Sequence, residues 1–324
     1  MNTRSSLLAP TIDILRTLVA FDTVSSRSNR GLIDWAAQRL ADAGATPFVQ
    51  HGREPGKANL FATIGPSDRS GVMLSGHSDV VPVAGESWSS DPFSLTERDG
   101  RLYGRGSADM KAFIACFLAM APAFAAARLR TPVHLALSYN EETDMHGMRL
   151  LAAHLGAAPV RPSACIIGEP TMMRLVIANK GASIWRCRVR GKAVHSSLRD
   201  QGVSAVEMAA EVIVFLNALR DQLEAAERHD GFEYPHTSVH VGRIEGGTAH
   251  NITARDCEFV FEIRALPGVS ARAIADRVRA YCSGTLLPRM RAVSDECGLE
   301  IDEILDAPGL DDTGNRHLAQ ALVP

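Results

Sequence analysis

Apolar residues recur at helical spacing over residues 12–19 and again over residues 32–43. Two amphipathic helices are therefore predicted at the start of the chain, the second ended by Gly44. Residues 59–64 and 72–75 read as short strands, with residues 102–103 as a further short one. The turn Gly104-Arg105-Gly106 opens a long apolar helix from about Met110. Residues 133–139 form the next predicted strand, residues 148–155 a helix and residues 164–167 another strand. Strands alternating with helices predict a largely parallel α/β sheet covered by helices on both faces.

The pattern changes after Lys180-Gly181. Residues 183–189 alternate as a strand and residues 203–223 form an amphipathic helix. Strands follow at 237–244 and 257–263, a helix at 270–282 and a final strand at 299–305. The order β-α-β-β-α-β is the ferredoxin-like split βαβ plan. The chain is thus expected to hold an α/β domain over residues 1–181 and a compact α+β domain over residues 182–307. Residues 308–324 are expected to return to the first domain as an incomplete segment with one helix-like piece at 317–322. There is no internal repeat, low-complexity tract or block of like charge.

With 324 residues, 46% hydrophobic and 22% charged, the chain has the make-up of a globular protein long enough for two cores. A net charge of −3 without a basic stripe excludes a nucleic-acid footprint. The N-terminus offers only a two-residue apolar run before Pro10, too short for the core of a secretory signal. The most apolar stretch, residues 114–127, is interrupted by Pro122 and is too short to span a bilayer. A cytoplasmic protein without membrane partners is expected. The six cysteines include no C-x-x-C pair, and several lie in apolar runs, so free buried thiols in a reducing compartment are expected.

Four polar clusters carry candidate chemistry. In Ser75-Gly76-His77-Ser78-Asp79, His77 and Asp79 are two apart at a strand end and face the same side. A neutral imidazole is a common zinc ligand, and a neighbouring carboxylate can fix its tautomer. Asp109 stands where the Gly-rich turn meets the helix, a position that also suits an N-cap. A carboxylate there can equally bridge two cations. Asn140-Glu141-Glu142-Thr143 and Gly168-Glu169-Pro170-Thr171 each follow an apolar strand. A lone Glu-Glu pair reads most simply as a surface turn. Open α/β sheets, however, bind ligands at the carboxyl ends of their strands. Together the turns would bring one His, one Asp and three Glu to one edge, a carboxylate density that is costly without cations. Nitrogen and oxygen donors without sulfur suit Zn²⁺, Co²⁺ or Mn²⁺.

The motifs G-H-S-D-V-V-P, Y-G-R-G-S-A-D-M-K, N-E-E-T and G-E-P-T, in this order and spacing, resemble those of the M20 metallopeptidases. Within the family the segment 88–111 and the run Gly168-Glu169-Pro170-Thr171 are most similar to acetylornithine deacetylases, with succinyl-diaminopimelate desuccinylases as the nearest competitor. The resemblance implies a zinc-peptidase-like catalytic domain and a ferredoxin-like lid that makes a homodimer. It implies one or two zinc ions: His77, Asp109 and Glu169 hold the first, and Asp109 bridges to a second bound by Glu142. Asp79 supports His77, and Glu141 is the general base. In the second domain, Gly191-Lys192-Ala193-Val194-His195-Ser196-Ser197 resembles the lid motif whose histidine, here His195, meets the developing oxyanion across a dimer interface. Leu198-Arg199 stands where the family carries a proline. Asn251 and Arg264 are implied substrate contacts, the latter to a carboxylate of a small N-acyl amino acid. The resemblance also places a last histidine ligand of the second metal beyond Pro324. His317 does not match that motif, so the chain is expected to stop before it. A deacylase is one reading, and a truncated, non-catalytic relative that dimerises or binds one metal is the other.

Overall fold

The computed structural model describes residues 3–322, and side chains from residue 7 to residue 322. The expectation of no secretory signal falls partly on the N-terminal residues outside that range. Two compact units result, residues 1–174 and residues 175–324. The domain boundary expected from sequence lies at 181/182.

The first unit runs α1 (Thr3–Ala20), α2 (Arg30–Asp42), β1 (Thr46–His51), β2 (Ala58–Ile64), β3 (Val72–His77), β4 (Thr96–Arg98), β5 (Arg101–Tyr103), α3 (Lys111–Ala126), β6 (Val133–Ser138), α4 (His146–Ala157) and β7 (Ala164–Ile167). Its five-stranded sheet has the order β1-β2-β6-β3-β7. β6, β3 and β7 pair in parallel, while β2 is antiparallel to both β1 and β6. Four strands therefore share one direction and β2 alone is reversed.

Alternation decides which face each residue serves. Leu60, Ala62 and Ile64 of β2 and Leu135 and Leu137 of β6 join Leu18, Leu32, Ile33, Ile114 and Leu118 of the helices in one hydrophobic cluster. Each fully buried Leu or Ile contributes roughly 1.5–3 kcal/mol. Asn59 points to the opposite face and donates to the Gly147 carbonyl of α4 at 2.8 Å, so helices cover both faces. α3, the long apolar helix expected from about Met110, continues through Pro122. The buried stripe Ile114, Phe117, Leu118 and Ala121 offsets the one main-chain hydrogen bond that proline removes. The unpredicted β1 is an edge strand, where its Pro47 is tolerated.

The second unit contains β8 (Ala182–Arg190), α5 (Ala205–Ala225), β9 (Ser238–Gly246), β10 (Asp256–Arg264), α6 (Ala271–Tyr281), α7 (Leu287–Arg291), β11 (Gly298–Ala307) and α8 (Arg316–Leu322). Its sheet has the order β11-β8-β10-β9 with every pairing antiparallel, which is the ferredoxin-like arrangement. Trp185, Cys187, Phe259 and Phe261 pack against Val212, Leu216, Ile274 and Val278 of the helices. Ser204 and Ser270 cap α5 and α6 by accepting from the N–H groups of Glu207 and Ala273. The helix predicted over residues 270–282 extends further, through a π turn at Cys282–Leu286 into α7. Leu310 pairs with Asn179, so this part of the C-terminal segment is bound within the second unit. The cysteines are free; Cys187, Cys257, Cys282 and Cys297 are buried, whereas Cys116 and Cys165 are exposed. Among the described residues no helix is long and apolar enough to cross a membrane.

Candidate metal centre

Parallel pairing brings three strand ends side by side: His77 of β3 lies opposite Ser138 of β6, and Ser75 opposite Ile167 of β7. The polar turns that follow these strands converge at the carboxyl edge of the sheet. His77 is the last residue of β3 and is only 2% exposed. Its Nδ1 lies 2.9 Å from the main-chain oxygen of Asp79 and 3.7 Å from that residue's carboxylate. A neutral ring with its proton on Nδ1 then presents Nε2 as a ligand atom. Nε2 lies 2.9 Å from Asp109 Oδ1 and 3.6 Å from Glu169 Oε1.

Asp109 does not serve as a helix cap. Met110 occupies the N-cap of α3 without a side-chain bond, after a cis peptide between Asp109 and Met110. The Met110 sulfur accepts the His77 main-chain N–H at 3.2 Å, and a Cβ on Gly76 would sit 2.7 Å from Met110 Cε. Glycine at 76 thus lets the start of α3 seat against β3.

Glu141 and Glu142 follow Asn140, whose φ of 58° is left-handed, a region that Asn tolerates better than most residues. Their N–H groups donate to the two oxygens of Asp79 at 3.1 and 3.4 Å. Asp79 is fully buried and also accepts from the Ser25 hydroxyl at 2.6 Å. Glu169 follows Gly168, whose N–H donates to the Ser75 carbonyl at 3.1 Å.

Burial would lower the His77 imidazole, but the hydrogen bond and charge of Asp79, with the charges of Glu141 and Glu169, raise it to about 10. Burial pushes Glu141, Glu142 and Glu169 up, Glu169 to about 7, and mutual repulsion adds to this against the pull of His77. Asp79 stays below the usual carboxylate range: burial opposes this, but the bonds from His77, Ser25 and the Glu141 main chain prevail. Three crowded acids with raised pKa values and one raised imidazole are groups that a divalent cation would relieve.

The donor geometry fits such an ion. His77, Asp109 and Glu169 each offer a ligand atom within 4.8 Å of the others, and so do His77, Glu141 and Glu142. A tetrahedral zinc site with bonds of 2.0–2.1 Å sets its ligand atoms about 3.3 Å apart. The distances of 2.9 and 3.6 Å around Nε2 bracket that value. His77 belongs to both triplets.

The three implied substrate contacts lie in the second unit. His195 is exposed, and its Nδ1 lies 2.8 Å from the Ser197 hydroxyl. His195 bridges to Ile252, and the Ser196 N–H donates to the Asn251 carbonyl at 2.9 Å, so the two lid motifs adjoin. Arg264, at the end of β10, is exposed and pairs with Glu262 at 3.1 Å. Sequence reasoning passed over Ser25, Lys57 and Lys111. The buried lysines donate to the main-chain oxygens of Ser25 and Phe21 at 2.6 and 2.8 Å. The run Phe21-Asp22-Thr23-Val24-Ser25 held an available signal, polar residues between two apolar helices.

Comparison with known proteins decides what this cluster belongs to. The profile of peptidase family M20/M25/M40 matches residues 73–313, which include every residue of both ligand triplets. The chain belongs to the M20 family. The acetylornithine deacetylase of Proteus mirabilis is 37% identical over 272 residues, covering 82% of this chain and 69% of that protein. Among solved structures, a putative aminohydrolase from methicillin-resistant Staphylococcus aureus superposes with a TM-score of 0.74 at 17% identity, covering 99% of this chain and 82% of the other. A dinuclear metal-binding M20 peptidase from Bacillus subtilis gives 0.60 at 15% identity, covering 95% and 77%. As an M20 protein, this chain is a metal-dependent amidohydrolase, and the cluster around His77 is its candidate metal centre.

Proposed function

We propose that this M20 amidohydrolase cleaves the amide bond of an N-acyl amino acid, converting N-acetylornithine to ornithine and acetate in arginine biosynthesis. The observation that carries this reading is the convergence of Asp109, Glu141, Glu142 and Glu169 on His77 in a chain 37% identical to an acetylornithine deacetylase. His77, Asp109 and Glu169 would hold one cation, and Asp109 with Glu142 would hold a second. Zn²⁺, Co²⁺ or Mn²⁺ bound there supplies Lewis acidity, lowering the pKa of water and polarising the scissile carbonyl. Glu141 accepts the proton from the attacking water and returns it to the departing nitrogen. Burial raises this carboxyl, which suits a group that must both take and give a proton. Water thereby adds across the C–N bond, oxygen to the acyl carbon and hydrogen to the amine.

His195 of a partner copy donates to the oxygen on which charge develops, a contact worth roughly 2.7–4 kcal/mol in comparable sites. Asn251 contacts the substrate, and the guanidinium of Arg264 pairs with its carboxylate. These roles place the ferredoxin-like domain in a homodimer.

Purified protein loaded with Zn²⁺ or Co²⁺ and given N-acetylornithine should release free amine. Glu141→Gln should slow release by about 10²-fold or more while metal content holds. Asp109→Ala should empty the centre. Faster release from N-succinyl-diaminopimelate would reassign the substrate, and unchanged metal content in Asp109→Ala would remove that residue from the ligand set.

A further inference from the structure

The two turns that carry His77 and the Glu141-Glu142 pair leave adjacent strands, yet beyond the Ser78 N–H on the Ser138 carbonyl at 2.9 Å the sheet no longer holds them. The Asp79 side chain does. One of its oxygens accepts the Glu141 N–H at 3.1 Å, and the other accepts the Glu142 N–H at 3.4 Å. The residue is 0% exposed, so no bulk water completes its shell. Among the described residues, the Ser25 hydroxyl, 2.6 Å from Oδ2, is the shortest of its contacts and the only hydrogen bond to it from a side chain outside the two turns.

Ser25 is itself fixed from several directions. Its N–H donates to the Val80 carbonyl at 3.0 Å, and Val80 N–H returns to the Thr23 carbonyl at 3.1 Å. Its carbonyl accepts the Lys57 ammonium at 2.6 Å, and the Thr23 hydroxyl donates to the Ser78 carbonyl at 2.7 Å. The α1–α2 connection is thus a strap laid along the His77–Val80 turn, with Ser25 aimed at one carboxylate oxygen.

We infer that Ser25 is a positioning residue for the hydrolytic centre: by fixing the rotamer of Asp79, it holds the main chain of Glu141 and Glu142 and so sets where their carboxylates point. The inference rests on the proposed roles of Glu141 and Glu142, but its first readout does not. Ser25→Ala removes the donor and leaves the strap's main-chain bonds intact. Amide hydrogen exchange of the metal-free protein should then rise selectively at Glu141 and Glu142, while exchange in β2 and β6 stays as in the wild type. In the loaded protein, metal affinity in a chelator competition or kcat should fall by about 10-fold or more, with KM little changed. Ser25→Thr keeps the hydroxyl and should restore both readouts. Ser25→Cys, nearly isosteric but a weak donor, should behave like Ser25→Ala and carries the same decision if the alanine variant does not fold. Unchanged protection at Glu141 and Glu142, or a rise spread evenly over the sheet, would overturn the inference. Full activity of Glu141→Gln would instead remove the base assignment and leave the exchange result standing.

Discussion

Lys111 opens α3 with no exposed surface, and its ammonium donates to the Phe21 carbonyl at 2.8 Å. Burial lowers its pKa from 10.5 to about 7, against the pull of Asp79. The unfolded chain therefore binds more protons than the folded one between pH 7 and 10.5, and this residue makes stability rise with pH across that window. His77 acts in the opposite sense in metal-free protein: raised from 6.5 to about 10, it contributes stability that is lost as pH climbs towards 10. The two slopes offset each other in the wild type, so the informative quantity is a difference. Relative to wild type, Lys111→Met should lose about 1.4 kcal/mol of advantage per pH unit above pH 7. Urea unfolding of both proteins at pH 7, 8 and 9 measures it, and a constant difference would refute the buried-lysine account. Such a residue is hard to read from sequence, because Lys111 sits beside Asp109 in a motif where a charge looks solvated. The polar run that holds Ser25 is visible in the sequence, but its partner is 54 positions away, and neither residue type nor spacing announces the bond. His77, Asp109 and the three glutamates stood out because each adjoins the end of a strand or a Gly-rich turn, and strand ends are legible from hydrophobic pattern.

At the scale of elements, the pattern located the interior strands and three edge strands, β7, β9 and β11, but not the edge strand β1 or the three-residue β4. β1 is half-exposed and carries Pro47, so its alternation is weak. The joint between β7 and α3 depends on a single glycine. A Cβ on Gly168 would lie 2.0 Å from a Phe113 ring carbon, so any side chain there must push the ring or the strand end aside. Glu169 is the next residue, and its aim at His77 depends on that strand end. Gly168→Ala should destabilise the protein by about 1–3 kcal/mol and weaken metal binding. Phe113→Ala removes the obstacle, so the double variant should be more stable than the sum of the single effects, by about 0.5–3 kcal/mol. Strict additivity in denaturant unfolding would show that the ring is not what excludes a side chain at this position.

At the scale of the whole molecule, the described residues form two hydrophobic clusters, one in each unit. The change of pattern after Gly181 made the second of these legible, because β-α-β-β-α-β is a complete fold with its own order of strands. Every residue of both ligand triplets belongs to the first unit, between His77 and Glu169. A cation bound there stabilises only the state in which those strand ends are assembled, and mass action fixes the size of the effect. At a free concentration 100 times the Kd it is worth about 2.7 kcal/mol. Nothing in β8, β10 or their covering helices contributes a ligand atom to either triplet, so the ferredoxin-like core should not sense the metal. Calorimetry of the full chain with and without Zn²⁺ should therefore show one transition moving up and another staying in place. Hydrogen exchange should place the moving transition in residues 1–174. A single transition that shifts as a whole would show that the two cores share their stability, and metal binding would then report on the entire chain.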